Sequence, residues 1–337
     1  MAKSKKRIML ELLTGGVGRL REFAYGDLEG APRKPRVGLA LAGGFARGIA
    51  HIGVLRVMEE ERIPIHCIAG TSVGALIAAA YASGTSLDEM ERQGRATKFT
   101  DFGRWTLSRL GLASNQKLEE FMARFNVVKR FEDLKIPMCV AATDLGGGKT
   151  VYFTHGDLII AVRASCAYPG LFLPITVDGH MLVDGFVTEP VPVEGARNLG
   201  ADIVIAVYLS TSASQSKPKS FFDVIGRAFA IVQRAGERVW REAADVVIEP
   251  DVKDMLWDSF DKTPELVAAG KEAARQGEDE ALKSSRSGGT LQSLSLFAHN
   301  DCRPPPRSSG CGPPAEIGAQ HEQLTVARIS NIVNRYV

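Results

Sequence analysis

From Val37 onward the chain alternates between two kinds of apolar segment. VGLALA (37–42) is a continuous apolar run of strand length, the pattern of a strand buried on both faces. After a glycine-rich stretch, IAHIGVLRVMEEE (49–61) spaces its apolar residues three and four apart, which predicts an amphipathic helix. IHCIAG (65–70) predicts a second buried strand, and SVGALIAAAYASG (72–84) a second helix. PMCVAATDL (137–145) and KTVYFTHG (149–156) read as two strands joined at Gly146-Gly147-Gly148. MLVDG (181–185) is short and extended, and ADIVIAVYLS (201–210) is again a buried strand. FFDVIGRAFAIVQRAGERVW (221–240) predicts an amphipathic helix, and ADVVIEPDV (244–252) a last strand. Strands alternating with helices imply an α/β fold, a mostly parallel sheet with helices on its faces.

The ends break this pattern. Residues 1–35 form a basic, then apolar appendage closing in the turn-rich Ala31-Pro32-Arg33-Lys34-Pro35. Its start, MAKSKKRIMLELLTGG, resembles a signal peptide for a few residues. Glu11 then interrupts the apolar run and no small-residue cleavage pattern follows. It reads either as an amphipathic segment seeking a membrane surface or as a frayed basic terminus. TSASQSKPKS (211–220) reads as a polar linker, and residues 284–337 are rich in Ser, Gly and Pro, a tail without a core of its own. The chain thus divides into 1–35, a folded domain over 36–283, and 284–337.

Composition narrows the function classes. With 45% hydrophobic residues, 24% charged and a net charge of +2, the chain lacks the basic excess of a nucleic-acid binder. Five cysteines, none in Cys-x-x-Cys spacing, argue against a zinc site or a disulfide framework and suit the reducing cytoplasm. No apolar stretch reaches the ~18–20 residues that span a bilayer.

Three short motifs carry candidate chemistry. Gly70-Thr71-Ser72-Val73-Gly74, between a strand and a helix, has the form of a nucleophile elbow that pushes the serine off the end of the sheet. The bland reading is a serine that merely caps the helix from Val73. Ala42-Gly43-Gly44-Phe45-Ala46-Arg47-Gly48, again between strand and helix, leaves backbone N–H groups uncovered for a pyrophosphate or an oxyanion. Phe45 breaks the dinucleotide pattern at its middle glycine, and no carboxylate ends the next strand at Ile65, His66 or Cys67, so dinucleotide binding loses. Asp184-Gly185 ends a short apolar strand, where the aspartate can face the same crevice or simply mark a turn. No histidine is placed to complete a triad. His51 sits inside a helix, His66 abuts a strand, His155 and His180 lie in turns, and His299 and His321 lie in the tail. A serine–aspartate pair fits what remains. Gly148-Lys149-Thr150 imitates the end of a P-loop, but Thr143 stands where its first glycine is required, so it reads as a hairpin tip. KFTDFGRWTLSRLGL (98–112) and SFFDVIGRAFAIV (220–232) mix aromatic, aliphatic and basic residues, as core-facing amphipathic helices do and as surfaces at a lipid interface also do.

Together these pieces resemble the patatin-like phospholipases, from about Val37 to about Arg275. ARGIAHIGVLRVMEEERIPIHCIAGTSVGALIAAAYASG and AVRASCAYPGLFLPITVDGHMLVDGFVTEPVPVEGARNLGAD are similar to the bacterial members throughout. The resemblance implies a three-layer α/β/α sandwich and cofactor-free, metal-independent hydrolysis of acyl esters, often phospholipids or lysophospholipids. It assigns Ser72 as nucleophile, Asp184 as base, and amides near Gly43, Gly44 and Phe45 as oxyanion donors. Arg47 would hold the loop, meet a phosphate headgroup or form an ion pair. Two departures stand out: Phe45 for the loop's middle glycine, and Phe186 for the small residue after Asp-Gly, where it would shape the acyl pocket. An acyltransferase sharing the acyl-serine intermediate and a non-catalytic lipid-binding module are the competing readings. Peripheral contact with a membrane is the expected setting, with a lipid ester as partner.

Overall fold

The computed structural model describes residues 35–106, 108–210, 217–218 and 221–286; the N-terminal appendage, most of the 211–220 linker and the tail from 287 lie outside the described residues. In chain order, β1 (Val37–Leu41) leads through a 3-10 turn (Phe45–Ile49) into α1 (Ala50–Glu60). Then come β2 (Cys67–Thr71), α2 (Val73–Ser83), α3 (Leu87–Ala96), β3 (Arg104–Trp105), β4 (Ala113–Ser114) and α4 (Lys117–Ala123). They are followed by β5 (Met138–Asp144), β6 (Lys149–Phe153), α5 (Leu158–Ser165), β7 (Ile175–Val177) and β8 (His180–Asp184). The described chain closes with α6 (Val193–Asn198), β9 (Ile203–Val207), α7 (Phe221–Ala243), β10 (Val246–Ile248) and α8 (Thr263–Arg286).

Eight strands form one mixed sheet in the order β10-β9-β1-β2-β5-β8-β7, with β6 paired to β5. The five strands from β10 to β5 run parallel; β6 and β8 pair antiparallel to β5, and β7 antiparallel to β8. Every residue of β1, β2 and β5 is buried, as the continuous apolar runs require of strands covered on both faces. The register puts Leu39 beside Ile68 and Ile205, and Ala40 beside Ala69 and Ala206. The alanine side, joined by Cys67 and Cys139, packs on Val193 and Ala196 of α6 and Trp240 of α7. On the opposite side, Gly70 lies against Ala75, so α2 covers the face that carries Leu41. Helices thus flank the sheet on both sides, the three-layer arrangement.

The chain steps from β1 to β2 to β5 in one direction, then returns to lay β9 on the far side of β1. Such a reversal opens a crevice beyond the carboxyl ends of the strands, where ligands of open α/β sheets bind. The β5–β6 hairpin turns at Gly148, whose φ of 60° places it in the left-handed region, so Gly148-Lys149-Thr150 is a hairpin tip.

Residues 98–112 differ from the amphipathic-helix pattern. Only Phe99–Asp101 form a 3-10 turn, Arg104–Trp105 pair with Ala113–Ser114, and Trp105 and Leu110 are exposed. Gly103 and Gly111 press against Phe172, close approaches that favour a hairpin over a helix. The helix expected at 220–232 is α7, and α8 continues through 284–286.

Candidate active site

β2 ends at Thr71, and the next residue, Ser72, takes φ 55° and ψ −126° before α2 begins. A non-glycine residue there stores strain of order 1–3 kcal/mol, which surrounding structure must hold. Gly74 makes the turn possible: a Cβ at that position would lie 2.2 Å from the Leu41 carbonyl oxygen. The Ser72 hydroxyl does not cap α2; it donates to Asp184 Oδ2 at 2.6 Å across 112 positions of sequence. The capping reading therefore falls.

The backbone of each partner is held separately. The Ser72 N–H donates to Ser165 Oγ at 2.8 Å, and that hydroxyl donates onward to the Ala141 carbonyl of β5 at 2.6 Å. The Asp184 N–H donates to the Ala167 carbonyl at 3.0 Å, and Thr143 Oγ1 donates to the Asp184 carbonyl at 3.0 Å. Asp184 Oδ1 accepts the Phe186 N–H at 3.1 Å. Gly185 packs against β5, where a Cβ would meet the Ala141 oxygen at 2.2 Å. Thr71 Oγ1 adds a tether, donating to the Glu189 carbonyl at 2.9 Å.

Asp184 is 1% exposed. Burial pushes its pKa up to about 7, against the opposing hydrogen bonds from Ser72 and from the Phe186 N–H. The neighbouring Cys166 thiol is pushed well above its usual range by burial and by the Asp184 charge, and it stays protonated at neutral pH.

The glycine loop meets the serine from the β1 side. A Cβ on Gly43 would come within 3.1 Å of Ser72 Cβ, and one on Gly48 within 2.4 Å of Val73 Cγ1. Gly43 N–H donates to the Pro190 carbonyl at 3.4 Å and Ala46 N–H to that of Trp257 at 3.0 Å. Among the described residues no hydrogen bond engages the N–H of Gly44 or Phe45. These two amides, rather than all three near Gly43, are the uncommitted donors. Phe45 adopts φ 52°, a conformation that glycine takes without strain. Its ring is wedged between Tyr168 and Trp257, with centroids 5.1 and 5.6 Å away. Those contacts explain how the loop tolerates a side chain here.

Arg47 Nε donates to the Gly44 carbonyl at 3.4 Å, and burial lowers its pKa. Among the described residues it makes no ion pair, so the salt-bridge alternative is not realised. His51 lies behind the loop: Nε2 is 2.8 Å from the Ala42 carbonyl, and burial depresses its pKa to about 4. The imidazole is neutral and donates to Ala42, a packed and structural role. His66 accepts from the Val37 N–H and His180 contacts Asp144, both away from the pair. Phe186 stacks on Tyr168 at 5.0 Å with Phe229 of α7 edge-on at 4.8 Å, so this space is filled by rings.

The fold thus gathers Ser72, Asp184, Gly43, Gly44, Phe45 and Arg47 around one crevice. Sequence reasoning did not find Ser165, Ala167, Thr143 or Trp257, which carry no motif and are brought there by packing.

Residues 39–197 match the family model described as patatin-like phospholipase. That segment is similar to the patatin-like phospholipases. All three motifs lie inside the matched segment. An uncharacterized NTE family protein of Mycobacterium bovis is 38% identical over 181 residues, which are 53% of this chain and 50% of that protein. Lysophospholipase nte1 of Emericella nidulans is 31% identical over 208 residues, 59% of this chain and 13% of that protein. The chain therefore spans about half the length of its mycobacterial relative and a small part of the fungal one. The solved structure of VipD from Legionella pneumophila covers 74% of this chain and 67% of its own, at 12% identity and a TM-score of 0.44. Among the described residues no helix is long and apolar enough to cross a membrane.

Proposed function

We propose that the protein is a serine acyl hydrolase acting on lipid esters, with Ser72 as nucleophile and Asp184 as base. The observation that carries this reading is the 2.6 Å hydrogen bond from the Ser72 hydroxyl to a buried carboxylate whose pKa is near 7. An ordinary aspartate is a feeble base, whereas one tuned close to neutrality balances proton affinity against the fraction ionised. Ser72 Oγ attacks the ester carbonyl carbon as its proton passes to Asp184 Oδ2. The carbonyl oxygen gathers charge beside the Gly44 and Phe45 amides and the positive end of α2. Collapse of the tetrahedral species expels the alcohol, which takes the proton from Asp184. Water, deprotonated by the same carboxylate, then attacks the acyl-serine, releases the fatty acid and restores Ser72.

The family match and the lysophospholipase name of the fungal relative support a lipid substrate, with phospholipids and lysophospholipids foremost. Arg47, which has no carboxylate partner among the described residues, suits an anionic headgroup. The exposed Val224, Ile231 and Val232 of α7 offer apolar contact with a lipid aggregate, since Phe229 of the same helix packs over Phe186 at the crevice.

The test is labelling by a fluorophosphonate and release of fatty acid from p-nitrophenyl and lysophospholipid esters. Wild type is expected to label and turn over; Ser72→Ala loses both, and Asp184→Asn loses at least ~100-fold in kcat. Wild-type turnover in either variant overturns the assignment.

A further inference from the structure

We infer that the apolar crevice between α1, α2 and α3 is an acyl-chain site that holds one unbranched chain of the ester attacked at Ser72. This inference rests on the reading of Ser72 as nucleophile. Helix α2 starts directly after that serine. Val73, Leu76, Ile77 and Ala80, at spacings that share one helical face, line the crevice along its length. Ile49, Ile52 and Met90 form the facing wall, and Phe125, whose carbonyl accepts from Thr85 just beyond α2, closes the far end with Phe121. Phe45, from the loop that supplies the oxyanion donors, lines the near end, so crevice and reaction centre share a border.

The chemistry of the wall selects the occupant. No charged group lines it, and its one hydroxyl, on Thr97, is used in donating to the Gln93 carbonyl at 2.8 Å. The crevice is narrow, with a cavity volume of about 40 Å³. A narrow void without polar partners stays dry. It fits a methylene chain and excludes a headgroup. The packing of α2 agrees: Ala75, Ala78 and Ala79 are fully buried, whereas Leu76 and Ile77 on the crevice side keep 6% and 7% of their surface open. From Val73 to Ala80 the helix rises about 10 Å, the reach of roughly eight carbons of extended chain. On the other side of Ser72, the stacked rings of Phe186, Tyr168 and Phe229 occupy the volume that the sequence reading gave to the acyl group. The chain therefore runs along α2.

The experiment has two arms. In the first, kcat/KM is measured for p-nitrophenyl esters from four to twelve carbons in wild type, Ala80→Phe and Gly94→Leu. Ala80→Phe fills the end of the crevice farthest from Ser72 along α2, and Gly94→Leu narrows it from α3. The ratio of twelve-carbon to four-carbon kcat/KM is expected to fall at least ~10-fold in each, with the optimum moved to shorter chains. In the second, alkyl alcohols of four to ten carbons are titrated calorimetrically into Ser72→Ala protein, where turnover plays no part. Affinity is expected to rise roughly fourfold per methylene and then level off near eight carbons, and adding Ala80→Phe is expected to flatten that rise. Wild-type turnover with no change in the ratio, or binding without dependence on length, overturns the chain site and leaves the nucleophile reading standing. Length-dependent binding in a protein that hydrolyses no ester does the reverse.

Discussion

Asp184→Asn should make the protein more stable at pH 8 while abolishing its activity. The buried carboxyl has a pKa near 7, against 3.8 for an ordinary aspartate. Between these values the folded state holds a proton that the unfolded state has released. Stability therefore falls as pH rises from about 4 to about 7, and the full penalty persists above 7. Three units at about 1.4 kcal/mol each put that penalty at about 4 kcal/mol. Asparagine has the same shape, carries no charge and can still accept the Phe186 N–H, so it escapes the penalty. His51 titrates with the opposite sign. Its pKa is depressed to about 4, so its contribution is present above its unfolded value and is lost as pH falls toward 4. For that reason the measurement is the difference between variant and wild type, in which His51 cancels. Urea unfolding of both proteins at pH 4, 5, 6, 7 and 8 should show a difference that grows through pH 4–7 and then stays level. A difference independent of pH, or one largest at pH 4, would mean that Asp184 is not held near neutrality, and the case for it as the base would collapse.

Activity should follow the same ionisation. The acid limb of kcat/KM is expected to have a midpoint near pH 7 and to lose tenfold per unit below it, read from a pH-rate profile on a soluble ester. Ser165→Ala removes the acceptor of the buried Ser72 N–H and is expected to cost about 1–3 kcal/mol in urea unfolding. It should also lower kcat more than it raises KM, with Ser165→Thr restoring part of the loss; unchanged kcat in folded Ser165→Ala would refute the positioning role. Gly74→Ala places a methyl 2.2 Å from the Leu41 oxygen and is expected to destabilise by more than about 3 kcal/mol, seen as a large fall in Tm. Phe125→Ala opens the far end of the crevice and is expected to move the ester optimum toward longer chains, read from the same ester series.

The parts of the fold legible in the sequence were those whose burial is extreme. VGLALA and IHCIAG announce β1 and β2 because strands covered on both faces carry no polar residues. The helices α3 and α8 were not assigned, because the charged residues of α3 and the small residues of α8 dilute the apolar periodicity; Gly270 of α8 lies against the Ala50 carbonyl of α1. Residues 98–112 misled because mixed aromatic and basic residues suit a helix and a hairpin alike, and contacts with Phe172 decide between them. At the site, the glycine motifs were readable because tight backbone approaches admit only that residue. Ser165 and Ala167 were not, since their roles lie in single hydrogen bonds to segments tens of residues away. Phe186 was read as a wall of the acyl pocket, but Tyr168 and Phe229, which fill that space, have no fixed spacing to it in sequence.

One consequence follows from the tripeptide Ser165-Cys166-Ala167. Its first residue grips the amide of the proton donor and its last grips the amide of the acceptor. Any displacement of that corner therefore acts on the Ser72 hydroxyl and the Asp184 carboxyl together, as two hooks on one short bar move in step.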